Sequence, residues 1–136
     1  MIKLIIGKKG PGKTKTLINM VHAAVENSKG NVVCIEKGAT LTFDIKPQAR
    51  LIDAESYKIK GFDMCYAFIA GLLAGNYDIT TVFVDSILKI GGNVEDLGKF
   101  FAEVDKLSPD VEFVFTVSAD VSELADDVTK YETIAH

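Results

Sequence analysis

Four stretches of this chain are unbroken apolar runs rather than alternations: Lys3–Ile6 (KLII), Asn31–Glu36 (NVVCIE), Thr80–Asp85 (TTVFVD) and Val111–Ser118 (VEFVFTVS). A strand with one face in water alternates apolar and polar residues. A continuous run signals burial on both faces, the condition of a parallel sheet covered by helices. Segments with helical spacing separate the runs. Residues 13–28 place Leu17, Ile18, Val21, Ala24 and Val25 on one face, with Ser28-Lys29-Gly30 as the stop and Gly30 as a C′ glycine. Residues 62–75 form an apolar helix halted at Gly75-Asn76. Residues 94–107 carry an apolar stripe, with Asn93 as the expected N-cap and Pro109 just beyond the end. Residues 39–53 are expected to form two short strands around Lys46-Pro47-Gln48, a hairpin or extended excursion with a strand at 50–53. Ser122–Leu124 is expected to begin a short last helix, and the tail KYETIAH carries no pattern. The alternation predicts an α/β fold with a mostly parallel sheet of about five strands and right-handed crossovers. No linker, repeat or low-complexity tract interrupts it, so residues 1–136 are expected to form a single domain.

Composition narrows the function classes. The chain is 48% hydrophobic and 25% charged, the profile of a folded globular protein. Its net charge of −4 argues against a general nucleic-acid-binding surface, although a local basic patch survives this argument. Cys34 and Cys65 lie inside apolar runs and lack metal-ligand spacing, so they are expected to be reduced core thiols, which suits a cytoplasmic protein. The opening MIKLII is too short for the apolar region of a signal peptide. The apolar stretch at 64–75 falls short of the roughly 20 residues a membrane span needs, so no membrane partner is expected.

Chemistry concentrates in Gly7-Lys8-Lys9-Gly10-Pro11-Gly12-Lys13-Thr14, which fits G-x-x-x-x-G-K-[ST] at every position. It follows a predicted strand and opens a predicted helix, the context that pattern requires. Glycines let the backbone curl with its N–H groups inward, and those amides and the helix N-terminus attract an anion. Lys13 would reach the terminal phosphates, and the Thr14 hydroxyl would reach Mg²⁺. Asp85, at the end of TVFVD, is the candidate second metal partner, with a strand-end helix cap as its plainer role. Lys8, Lys9 and Lys15 add positive charge at the mouth.

By these residues the chain resembles the P-loop NTPase superfamily, with GKKGPGKT as Walker A and TVFVD as Walker B. It looks more closely like small bacterial P-loop ATP-binding proteins of unknown function, some labelled twitching-motility (PilT-like) ATPases. The resemblance covers most of the chain as a strand–helix alternation and is specific at about a dozen positions. It implies a three-layer α/β/α fold and a nucleoside triphosphate with magnesium. The guanine-reading N-K-x-D pattern is absent, so ATP is expected over GTP.

Whether the chain would hydrolyse what it binds is less determined. Many P-loop ATPases carry a glutamate directly after the magnesium aspartate, and here that position is Ser86. Glu36 is the substitute base candidate, with strand capping or pairing to Lys37 as the alternative; Asp53 and Glu55 are lesser candidates. Ser118 or Thr116 could sense the terminal phosphate or end a strand through a hydroxyl–backbone bond. Arg50 is the single arginine and reads as a surface strand residue, so intrinsic hydrolysis is expected to be slow unless a partner supplies charge. Lys8 occupies the position from which one dimeric branch of the superfamily reaches the partner's phosphates, but Lys9 interrupts that branch's K-G-G-x-G-K pattern. His22 reads as structural or solvated. Three functions remain: an ATP-binding switch or accessory ATPase with slow or partner-stimulated hydrolysis, a non-hydrolysing nucleotide-binding interaction module, and a small-molecule kinase of the nucleoside type. A homo-oligomer or a protein partner fits the first two.

Overall fold

A computed structural model describes residues 1–10, 12–41 and 44–136. The expectations for Pro11, and for Thr42 and Phe43 within the 39–53 excursion, lie outside these described residues.

The apolar runs become strands of one sheet. In chain order the elements are β1 (Ile2–Gly7), α1 (Gly12–Asn27), β2 (Asn31–Glu36), β3 (Ala49–Asp53), α2 (Phe62–Gly75), β4 (Ile79–Val84), α3 (Ile87–Gly91), α4 (Leu97–Asp105), β5 (Glu112–Ser118), α5 (Asp126–Thr129) and β6 (Glu132–Thr133). The sheet order is β3-β2-β4-β5-β1-β6, and every pairing is parallel. The chain is therefore α/β with six strands among the described residues, one more than expected.

Strand period sorts the side chains onto two faces. Ile5, Val32, Cys34, Phe83 and Val114 pack under α1 through Leu17 and Val21, joined by Leu41 and Ile45 from the β2–β3 connection. Leu4, Ile6, Val33, Ile35, Val82, Val84, Phe113 and Phe115 face the other way. They meet Cys65 and Ile69 of α2, Ile87 and Ile90 of α3, and Phe100, Phe101 and Val104 of α4. Phe101 and Phe115 stack with centroids 4.9 Å apart, and Phe100 meets the edge of Phe115 at 5.7 Å. One helix thus covers one face while several share the other.

Four expectations need correction. Residues 49–53 form a strand, but it pairs in parallel with β2, so the excursion is not a hairpin; described residues 39–41 and 44–48 are turns and bends. Leu41 and Ile45 are buried beneath α1, which pulls that connection onto the core instead of into a second strand. The 94–107 helix divides into a 3-10 turn at Val94–Asp96 and α4; Asn93 stands at the N-cap position but makes no capping bond through its side chain. Gly30 is not a left-handed cap: a Cβ there would lie 2.3 Å from the Asp78 carbonyl oxygen, so glycine permits the close approach of the segment before β4. The last helix begins at Asp126, four residues after Ser122, which lies in a 3-10 turn closed by a capping box between Asp120 and Glu123.

The tail is the unpredicted element. β6 runs beside β1, and the Ile134 N–H donates to the Leu4 carbonyl at 2.8 Å. Lys3 ties both flanking strands, reaching Glu112 at 2.9 Å and Glu132 at 3.9 Å. No helix among the described residues is long and apolar enough to cross a membrane. Cys34 and Cys65 are free and buried, as the sequence implied.

Candidate functional site

Because all the strands are parallel, their carboxyl ends share one edge, the place where ligands bind in sheets of this kind. Period two then decides which end residues look toward α1. Gly7 follows Ile5, Glu36 follows Cys34, Asp85 follows Phe83, and Thr116 and Ser118 follow Val114, each by an even step on that face. Register places them in a row: Gly7 opposite Ser118, Val84 opposite Phe115, and Glu36 opposite Asp53. The Asp85 N–H donates to the Ile35 carbonyl at 2.8 Å, which sets Asp85 beside the end of β2.

The first turn of α1 meets this row. Lys13 is only 4% exposed, and its ammonium curls back to donate to the Lys8 carbonyl across the loop. Burial lowers the Lys13 pKa, and the charge of Asp85 opposes that shift. The Thr14 hydroxyl stands 3.4 Å from both carboxylate oxygens of Asp85. That is long for a bond from hydroxyl to carboxylate, so the two groups stand side by side without being spent on each other. Lys8, Lys9, Gly10, Gly12 and Lys15 are exposed around this point.

Asp85 is itself held. It is 8% exposed, and the Thr116 hydroxyl, 1% exposed, donates to its Oδ1 at 2.7 Å. The same hydroxyl accepts from the Ser86 N–H at 2.6 Å. Ser86 sits at φ 59°, ψ 57°, a left-handed conformation costly for a residue with a Cβ, and from it the chain turns into α3. Thr116 thus fixes Oδ1 of Asp85 and the turn that follows it, and makes no bond to Oδ2.

No family model matches the chain, and comparison with curated proteins gives no match.

The remaining candidates separate. Glu36, 2% exposed, is engaged: its Oε1 accepts from the Thr40 hydroxyl at 2.8 Å, the Thr40 N–H at 3.0 Å and the Leu41 N–H at 3.1 Å. It organises the turn after β2. Asp53 does the same for the turn after β3, accepting from Gly38 N–H at 2.8 Å, Glu55 N–H at 2.9 Å and the Ser56 hydroxyl at 3.0 Å. Glu55 is exposed beside that turn. Ser118 is half-buried opposite Gly7. Arg50 is exposed in the middle of the edge strand β3, with β2, β4 and β5 between it and β1. His22 is half-buried on α1, its Nε2 without a hydrogen-bond partner among the described residues. Cys34 lies behind the row; burial, then the charges of Asp85 and Glu36, push its thiol pKa up, so it is no nucleophile.

One neighbour of the loop was missed. The His136 imidazole reaches the Ile6 carbonyl through Nε2 at 2.8 Å. A Cβ on Gly7 would lie 2.7 Å from that nitrogen, and one on Gly12 would lie 3.2 Å from Nδ1. The ring therefore packs on the two glycines that flank the loop. A histidine beyond a two-residue strand gives no sequence signal for such contact.

Among the described residues no group of three or more His, Cys, Asp or Glu could hold a metal by itself. The donors beside Lys13 are instead one hydroxyl and one carboxylate, hard oxygens of the kind Mg²⁺ prefers when a ligand's own oxygens and water complete its shell.

Proposed function

We propose that this chain binds a nucleoside triphosphate, ATP in preference to GTP, together with Mg²⁺, at the loop between β1 and α1, as a P-loop nucleotide-binding domain. The observation that carries the reading is the convergence of Lys13 and Thr14, from a glycine-rich loop, on Asp85, which is 71 residues away from Thr14 in sequence. The ammonium of Lys13, a residue 4% exposed, with a carboxylate and a hydroxyl nearby complements a phosphate that arrives with a divalent cation. Thr14 and Asp85 would hold the magnesium, which neutralises charge on the phosphate oxygens when bound. Lys13 would release the Lys8 carbonyl and contact phosphate, and Thr116 would keep Asp85 oriented.

Hydrolysis in this reading is slow or partner-stimulated. Glu36 is committed to Thr40 and Leu41, Ser86 follows Asp85 where a glutamate would serve, and Arg50 stands on the far edge. The same commitment of Glu36 favours, as the second reading, a module that binds nucleotide without turning it over. Titration calorimetry with ATP and Mg²⁺ tests the binding: heat is expected for the natural sequence and is lost in Lys13→Ala. Equal heats from the two proteins would refute it. Phosphate release above the Lys13→Ala background separates hydrolysis from binding alone.

A further inference from the structure

Fifteen basic residues are spread over a chain of net charge −4, yet four of them, Lys37, Lys58, Lys60 and Lys89, line a single cavity of about 300 Å³. Glu55 is the one acid in its lining, and Ile59 and Ile90, 9% and 3% exposed, are its apolar members. Among the described residues none of the four ammonium groups has a carboxylate within 4.0 Å; the ion pairs involve Met1, Lys3 and Lys46.

The walls are fastened to one another. The Ala54 N–H donates to the Glu36 carbonyl at 2.7 Å, which ties the turn after β3 to the end of β2. The Gly61 N–H donates to the Ile90 carbonyl at 2.8 Å, and the Lys37 ammonium to the Lys89 carbonyl at 3.2 Å, which tie both turns to α3. Within the turn the Ile59 N–H closes on the Ala54 carbonyl at 2.9 Å, and Lys58 is held at φ 56°. Lys58 is left-handed without being glycine, a conformation that persists only where the surroundings enforce it. Lys37 gives one proton to a carbonyl and keeps two for a ligand. All four lysine side chains are exposed around the opening, and their summed positive charge over a fastened backbone frame favours an anion there.

We infer that this cavity, between the turns that follow β2 and β3 and helix α3, binds a small phosphomonoester: a phosphate dianion among the lysines, with an apolar portion against Ile59 and Ile90. A volume of about 300 Å³ is at the small-molecule end of ligand sites. The cavity opens on the same carboxyl edge of the sheet as the β1–α1 loop but shares none of its residues, so the inference does not rest on the nucleotide reading.

The test uses the Lys13→Ala chain, in which the loop is disabled, with inorganic phosphate and phenyl phosphate as probes. Amide chemical shifts of Gly61, Lys60 and Ile90 should move saturably with either probe, and phenyl phosphate should bind about threefold or more tightly because its ring covers the isoleucines. Adding Lys58→Gln, Lys60→Gln and Lys89→Gln should weaken binding about tenfold or more, the effect of three point charges lost near contact distance in water. A melting curve of each variant confirms that it is folded. The inference is overturned if the shifts rise without saturation, if the lysine substitutions leave the affinity unchanged, or if the response is confined to residues 7–14. Loss of ATP heat in Lys13→Ala would leave this outcome untouched, so the two readings fail separately.

Discussion

Replacing Thr116 by valine keeps the volume and removes one hydroxyl, and the structure lets the cost be worked out. The hydroxyl donates to Asp85 Oδ1 at 2.7 Å and accepts from the Ser86 N–H at 2.6 Å, and Thr116 is 1% exposed. Losing a hydrogen bond to a charged partner costs about 1.5–3 kcal/mol, and leaving a buried N–H unsatisfied costs about 1–3 kcal/mol. The added methyl returns about 1 kcal/mol. Thr116→Val should therefore destabilise the chain by about 3 kcal/mol, whereas Thr116→Ser, which keeps both bonds, should cost about 1 kcal/mol. Urea unfolding at pH 7 measures both, and the valine variant should also melt roughly 10 °C lower. On the proposed function, the valine variant should weaken magnesium-dependent ATP binding more than binding without metal. If valine and serine prove equal within about 0.5 kcal/mol, Thr116 does not anchor Asp85 and the reasoning fails.

Three further perturbations probe other parts of the site. Glu36→Ala should cost about 2–3 kcal/mol and Glu36→Gln about 1 kcal/mol, because the buried Leu41 N–H loses its acceptor in the first and keeps it in the second; unchanged stability in both would refute the structural duty of Glu36. Gly7→Ala should displace His136 from the Ile6 carbonyl, so Gly7→Ala and His136→Ala should each cost about 1 kcal/mol and their double variant clearly less than the sum; strict additivity in denaturant melts would refute the contact. Burial pushes the Cys65 thiol up to about 12 from an ordinary value of 9.0, and Cys34 is pushed up by burial and by Asp85 and Glu36. The folded state then holds protons that the unfolded chain releases. Stability from these thiols is full below pH 9 and falls as pH rises toward the folded values, by about 1.4 kcal/mol per pH unit for each thiol. Unfolding free energies at pH 8 and 10 should differ less in a Cys34→Ala, Cys65→Ala double variant than in the natural sequence.

What the sequence revealed follows from where local rules dominate. Residues 31–36, 80–84 and 112–118 are strands because they are buried on both faces, and their apolar runs announce that directly. That Thr14 and Asp85 would lie near one another was readable, because a loop after one strand and an acid at the end of another share the carboxyl edge of a parallel sheet. The parallel course of β3 was not readable, since its direction is decided by pairing with β2 and by the burial of Leu41 and Ile45 under α1. Nor was β6, two exposed residues whose order comes wholly from the edge of β1. The duty of Glu36 depends on a turn four and five residues further on, and that of Thr116 on a neighbouring strand's register. Such roles exist only after the sheet has assembled.

The uneven covering of the sheet has a practical reach. A single helix roofs Ile5, Val32, Cys34, Phe83 and Val114, and that helix begins at Lys13's loop. Whatever grips the leading turn of α1 braces the whole roof, and whatever frees it exposes one sulfur lying beneath. On the proposed function, nucleotide at the loop should slow the reaction of a thiol reagent with Cys34, a gauge readable without labelling the ligand.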